Sequence, residues 1–250
     1  EDDRIQSSGQ YWGGEAAVFN GSGHFISVED SPDWHFGTKD FTIDMRVKFD
    51  RLANSNGQAM CLFSIAEHGQ NYLNLCLQSN GASTFSVKKN DQFSGPNGGQ
   101  AVFQDSGLRT GEWYHLALVR TGNQLSLYRN GSQVAGVVTD PDGLDLQDYP
   151  GRLQIGAQGE AFFKGVIDTF RISDEARWDK SFSALEKPLV EDEDTKLLLN
   201  FSLEEFKKSK DSSSRSRRIY FEGDSLLQYT VDSQNQFTSS KRHNFSPGYQ

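Results

Sequence analysis

Several things are scarce in this sequence, and each scarcity removes a class of protein. Cysteine occurs twice in 250 residues, at Cys61 and Cys76, so no multi-bridge framework holds the fold. No run of about 18 apolar residues occurs, which leaves no membrane-spanning helix to expect and argues against membrane insertion. Positive charge is in deficit: 25 Lys and Arg against 34 Asp and Glu give a net charge of −9. That excludes the basic face on which nucleic-acid binding depends. Catalytic signatures are missing too. No Gly-x-Ser-x-Gly elbow, His-Glu-x-x-His or phosphate loop occurs, and the five histidines show no ligand spacing. Glycoside hydrolysis needs two carboxylates flanking the scissile bond, and on a strand they must sit at alternate positions to share a face. No Glu-x-Asp-x-x-Glu stretch or close variant supplies them, so the chain reads as a non-enzyme. The opening Glu1-Asp2-Asp3-Arg4 does not have the form of a signal peptide.

What is present is strand. Residues 41–49, Phe-Thr-Ile-Asp-Met-Arg-Val-Lys-Phe, alternate apolar and polar, the pattern of a half-buried strand. Similar runs occupy 16–19, 25–28, 60–65, 72–78, 84–88, 113–120, 124–129, 132–135, 152–156 and 166–172. Asn20-Gly21-Ser22-Gly23 reads as a hairpin turn between the first two, and Asn130-Gly131 as another. Eighteen phenylalanines supply bulk for a core in a chain only 35% hydrophobic. The spacing predicts an all-β, two-sheet antiparallel sandwich. Alternation points Cys61 inward with Phe63 and Ile65, and Cys76 outward from Leu73, Leu75 and Leu77. Opposite faces argue against a disulfide. Residues 174–178 suggest one short helical turn, with Trp178 and Phe182 able to cover an open sheet edge or end.

Three stretches together resemble the laminin-G-like, pentraxin-related jelly roll of the concanavalin-A-like lectin/glucanase superfamily. They are residues 19–44, opening Phe-Asn-Gly-Ser-Gly; residues 112–131, from Glu-Trp-Tyr-His to Arg-Asn-Gly; and residues 165–172, Gly-Val-Ile-Asp-Thr-Phe-Arg-Ile. The third, with its continuation through Trp178, is similar to versions in bacteriophage and viral surface proteins. The resemblance implies a non-catalytic module recognising a glycan or a host or cell-surface protein, placed outside a cell or on a virion surface. The alternative is a structural module for decorating or assembling a particle. Relatives carry a structural calcium, which implies Asp168 as its side-chain ligand. Aromatics in polar loops stack on sugars, so Phe93, Phe103 and Tyr149 are candidate ligand residues, with Asn90, Asp91 and Asn97 as hydrogen-bonding neighbours. The competing role for these rings is to anchor their loops in the core.

Residues 1–190 hold the resemblance, and 191–250 form a β-rich extension that opens on the acidic linker Glu191-Asp192-Glu193-Asp194. The extension carries strand-like runs at 196–201, 218–221 and 226–231. It also echoes the start of the domain: Phe221-Glu222-Gly223 resembles Phe19-Asn20-Gly21. Its strands are expected either to complete the sandwich or to begin a second copy. If they cross to a neighbour they would build a homo-oligomer.

Overall fold

The computed structural model describes residues 5–7, 15–52, 59–67, 71–78, 82–89, 92–93, 100–104, 107–134, 138–139, 146, 148–202, 205, 208, 210–223, 228–231 and 237–240. In chain order the strands are β1 (Ile5–Ser7), β2 (Glu15–Asn20), β3 (Phe25–Val28), β4 (Phe41–Phe49), β5 (Met60–Glu67), β6 (Asn71–Leu77), β7 (Ala82–Lys89), β8 (Gln92–Phe93) and β9 (Gln100–Gln104). They continue as β10 (Trp113–Thr121), β11 (Gln124–Arg129), β12 (Ser132–Gln133), β13 (Val138–Thr139), β14 (Leu153–Ile155), β15 (Lys164–Ser173), β16 (Thr195–Leu199), β17 (Ile219–Glu222), β18 (Gln228–Val231) and β19 (Phe237–Ser240).

They form two antiparallel sheets. The first runs β1-β2-β15-β4-β10-β11-β12, with β13 beside β11 and β16 beside β15; the second runs β17-β3-β14-β5-β6-β7-β8, with β9 beside β7. β18 pairs only with β19. The fold is thus nearly all-β, as the alternating runs imply. One core lies between the sheets. Ile43, Met45, Val47 and Phe49 of β4 face it from the first sheet, and Phe63, Ile65, Leu73 and Leu75 from the second. Phe63 meets Phe170 edge-on across the gap, ring centroids 6.1 Å apart. Each fully buried side chain of this size contributes about 1.5–3 kcal/mol of transfer free energy, which is why a chain low in hydrophobic residues still closes a core.

Local expectations meet mixed outcomes. Asn130 (φ 49°) and Gly131 (φ 79°) make the predicted turn between β11 and β12. Residues 20–23 do not make a hairpin. β2 belongs to the first sheet and β3 to the second, so this turn is a corner that carries the chain across the core. No helical turn forms at 174–178. That backbone instead bonds to the sheet: Thr42 Oγ1 donates to the carbonyl of Glu175 at 2.7 Å and accepts from Arg177 N at 3.0 Å.

Cys61 and Cys76 are joined by a disulfide, contrary to the facing argument. The cause is a bulge in β5. Pairing with β6 steps from Cys61↔Cys76 to Phe63↔Leu75, so Leu62 is an extra residue. One extra residue inverts the parity of alternation. Cys61 therefore lies on the same side as Cys76, away from the face of Phe63.

The extension joins both sheets. β16 pairs with β15 at Phe170↔Leu199 and Ile172↔Leu197, alongside the end that β2 leaves unpaired. β17 pairs with β3 at Ile219↔Val28 and Phe221↔Ile26. Leu197, Leu199, Phe201 and Ile219 are all in the common core.

Candidate functional site

On the outer face of the first sheet the polar half of the alternation is buried. Asp44 of β4 is fully enclosed. Arg171 of β15, opposite it in register, donates from Nε and a terminal nitrogen to its two oxygens, both at 2.9 Å. His115 of β10 places Nε2 3.0 Å from the same carboxylate. Burial pushes the Asp44 carboxyl upward, but the His115 bond and the Arg171 charge outweigh it and hold it below the ordinary aspartate value.

Residues 174–194 cross this face as a strap. Trp178 stacks on Phe182 (4.1 Å, 12°), and both rings meet His115 edge-on at 5.5 and 5.9 Å. The crossing passes so close to the β11–β12 turn that a Cβ on Gly131 would sit 2.0 Å from the Phe182 carbonyl oxygen. Only glycine fits there. At the strap's far end Arg177 donates to both oxygens of Asp192 at 2.7 and 2.6 Å, and its Nε donates to Ser173 Oγ at 2.7 Å. Burial works against the Arg177 charge, but Asp192 more than compensates and the guanidinium is held above its ordinary range.

Between the two limbs of the strap, residues 175–178 and 183–190, with Arg171 of β15 also lining it, lies a cleft of about 710 Å³. Trp178, Arg171, Arg177, Glu175, Leu185 and Leu189 line it. Trp178 is half-buried, and Glu175 is paired with Arg177 at 3.1 Å. The cleft thus offers an aromatic ring, apolar side chains, a carboxylate and guanidinium groups within one concavity of small-ligand size.

Of the residues expected to act, Asp168, Phe103 and Tyr149 do not line this cleft. Asp168 is the bulged residue of β15, where pairing with β4 steps from Ile167↔Val47 to Thr169↔Arg46. Its carboxylate is fully buried and ion-paired with Arg46, whose guanidinium lies 4.3 Å from the Trp113 ring centroid. Phe103 and Tyr149 are buried, 0% and 4% exposed, and serve as anchors. Phe93 lies in β8; Asn90, Asp91 and Asn97 lie outside the described residues. The cleft residues were missed because Trp178 reads first as a cover for the sheet. The signal was its setting, Glu175-Ala176-Arg177-Trp178, an aromatic flanked by charge.

Buried acids elsewhere carry structural bonds. Burial raises Glu205, which accepts from the backbone of Asn200 at 2.9 Å and of Ser202 at 3.3 Å. It also raises Asp211, which accepts from Arg217 N at 2.6 Å.

Two antiparallel sheets over one core, with a strap across one outer face, define a jelly-roll sandwich of the lectin type. The chain belongs to the concanavalin A-like lectin/glucanases superfamily, whose laminin-G-type family model matches residues 20–181. No curated protein sequence matches it. Among solved structures it is similar to a putative carbohydrate binding protein from Bacteroides ovatus, with 19% identity and a TM-score of 0.58. That match covers 83% of this chain and 58% of the other, so the chain spans little more than half of that protein. It is also similar to domain 4 of AbnA, an extracellular arabinanase from Geobacillus stearothermophilus, in complex with arabinotriose. There the identity is 21% and the TM-score 0.52, over 69% of this chain and 75% of that one. At these identities the likeness establishes the fold.

Proposed function

We propose that this chain is a non-catalytic module that binds a glycan in the cleft between the two limbs of the strap, outside the cell or on a particle surface. The observation that carries the reading is the cleft itself: a half-buried Trp178 beside Glu175, Arg171 and Arg177, in a concavity of about 710 Å³. A sugar presents an apolar ring face and a rim of hydroxyls. An indole takes the first, and carboxylate and guanidinium groups take the second. Family membership supports the reading, as do the carbohydrate-binding neighbours named above. The disulfide supports an oxidising compartment. Against catalysis stands the occupation of the buried acids: Asp44 by Arg171 and His115, Asp168 by Arg46.

The test is a glycan array with the wild type and Trp178→Ala, followed by titration of the best hit. Reproducible binding that falls at least tenfold in the variant, measured at a temperature where the variant is still fully folded, supports the reading. Silence across the array together with self-association in sedimentation would overturn it in favour of an assembly module. Release of reducing ends from the bound glycan would overturn the non-catalytic part.

A further inference from the structure

We propose that Asp30, His35 and Asp148 form a site for a divalent ion of the zinc class, separate from the cleft. Their ligand atoms all lie within 4.8 Å of one another. His35 Nε2 is 3.5 Å from Asp30 Oδ1 and 2.7 Å from Asp148 Oδ1. That nitrogen is buried and has no hydrogen-bond partner, so the 2.7 Å approach lacks the direction of a hydrogen bond. The two atoms stand side by side, the relation that ligands of one ion share. Four-coordinate zinc with nitrogen and oxygen ligands at about 2.0–2.2 Å keeps them roughly 3.4 Å apart. Shifts of less than about 1 Å would bring both separations from His35 Nε2 to that value.

Charge favours a cation. The neighbouring acids are already matched: Asp33 pairs with Arg217, while Glu29 accepts from Tyr220 and lies 3.8 Å from Arg218. Among the described residues no Lys or Arg pairs with Asp30 or Asp148. Two carboxylates therefore converge on a single imidazole, with a net charge of −2 whenever that imidazole is neutral.

The donors are also held in place from below. Asp30 and His35 bracket the one-turn 3-10 helix Pro32–Trp34, which Ser31 caps at its start and whose end His35 closes by donating N–H to Pro32 O at 3.3 Å. Trp34 before His35 is buried, and Phe36 after it stacks on Phe41 at 4.3 Å. The third donor is brought in by a bridge between Gly37 and Leu146, with two backbone bonds of 2.9 Å. Leu146 and Tyr149, on either side of Asp148, are both buried. The exposed ligands thus ride on core anchors, which is the preorganisation a metal site needs. An imidazole with two carboxylates suits zinc, whereas calcium takes six to eight oxygens. Three protein ligands leave the fourth position to water or to an oxygen donor from outside.

The experiment is calorimetric titration of the full chain, stripped with chelator and dialysed, with ZnCl2 and separately with CaCl2. Expected is one zinc per chain, bound at least tenfold more weakly by His35→Gln and by Asp148→Asn, unaffected by His68→Ala and not displaced by calcium. Melting curves of the metal-free variants matching the wild type show that the fold is kept. Absence of saturable zinc binding, affinity unchanged in either ligand variant, or equal competition by calcium would each overturn the proposal and leave a surface ion pair.

Discussion

On the outer face of the first sheet the buried polar groups are charged: Asp44, Arg171 and His115, roofed by Trp178 and Phe182. On the outer face of the second, among the described residues, they are neutral. Ser64 donates to the carbonyl of Ala157 at 2.8 Å, Asn74 donates to Gln158, and the Cys61–Cys76 bridge lies beside them. Each face is covered by a loop, residues 174–194 on one and 156–163 on the other. The second cover is tied by uncharged bonds, among them Gly156 N to Leu62 O and Cys61 N to Ala161 O. The two solutions fail differently. A buried ion pair gains little over an apolar substitute, yet removing one partner strands the other charge. A neutral bond or a cross-link loses only its own contribution. The charged face should therefore be the brittle one, and it is the face that carries the cleft.

The largest effect is expected from an attack on both sheets at once. The extension gives β16 to the first and β17 to the second, and deleting 191–250 removes Leu197, Leu199, Phe201 and Ile219 from the core. Single core truncations of this size cost about 2–5 kcal/mol each, and total stabilities are about 5–15 kcal/mol. The truncated chain should lose its cooperative thermal transition. An unchanged melting temperature and solution mass would show that these strands add nothing to the fold.

Next comes the charged face alone. Asp44→Ala leaves Arg171 buried without its main partner and should cost about 3–5 kcal/mol in urea denaturation. The same pair sets a pH dependence. The folded-state pKa of Asp44 lies below the unfolded one, near about 3.9. Its stabilisation is therefore present above about pH 4 and is lost as the pH falls through the folded value. Asp44→Ala should flatten that part of the acid profile. The neutral face should yield less. Replacing both cysteines by serine opens a loop of 15 residues, worth about 3 kcal/mol. A larger loss there than at Asp44 would reverse the comparison.

How much of this was legible follows from the same contrast. Strand alternation placed Asp44 and Arg46 on the face away from the core, and the sandwich with them. It could not show that this face is covered, because the cover is a strap without regular structure. Period-two reasoning also fails at bulges. Leu62 inverted the inferred side of Cys61, and Asp168 is the extra residue of β15, which an alternating pattern does not foresee. Phe103 and Tyr149 read equally well as sugar platforms or anchors, since composition does not report depth. The Asp30–His35–Asp148 group joins residues more than a hundred positions apart, and only the Gly37–Leu146 bridge brings them together.

The smallest effect separates the centre of the charged face from its rim. Asp192 accepts two bonds from Arg177 and one from the Thr195 hydroxyl at 2.8 Å, and its own pKa is held well below the aspartate range, chiefly by the Arg177 bonds. Geometry alone would rank this pair with Asp44–Arg171. Exposure says otherwise: the Asp192 side chain is 42% accessible, whereas that of Asp44 is 0%. Water screens the rim pair and solvates Arg177 once Asp192 is gone, so Asp192→Asn should cost no more than about 1 kcal/mol globally. The loss should appear locally instead, because this pair ties residue 177 of the strap to its end. Trypsin should cut the variant faster at Lys180, exposed on the strap, and glycan affinity should fall through a looser cleft wall. If Asp192→Asn destabilises the whole chain as much as Asp44→Ala, burial is not what distinguishes the two charges. If the strap is cut no faster than in the wild type, the salt bridge does not hold it.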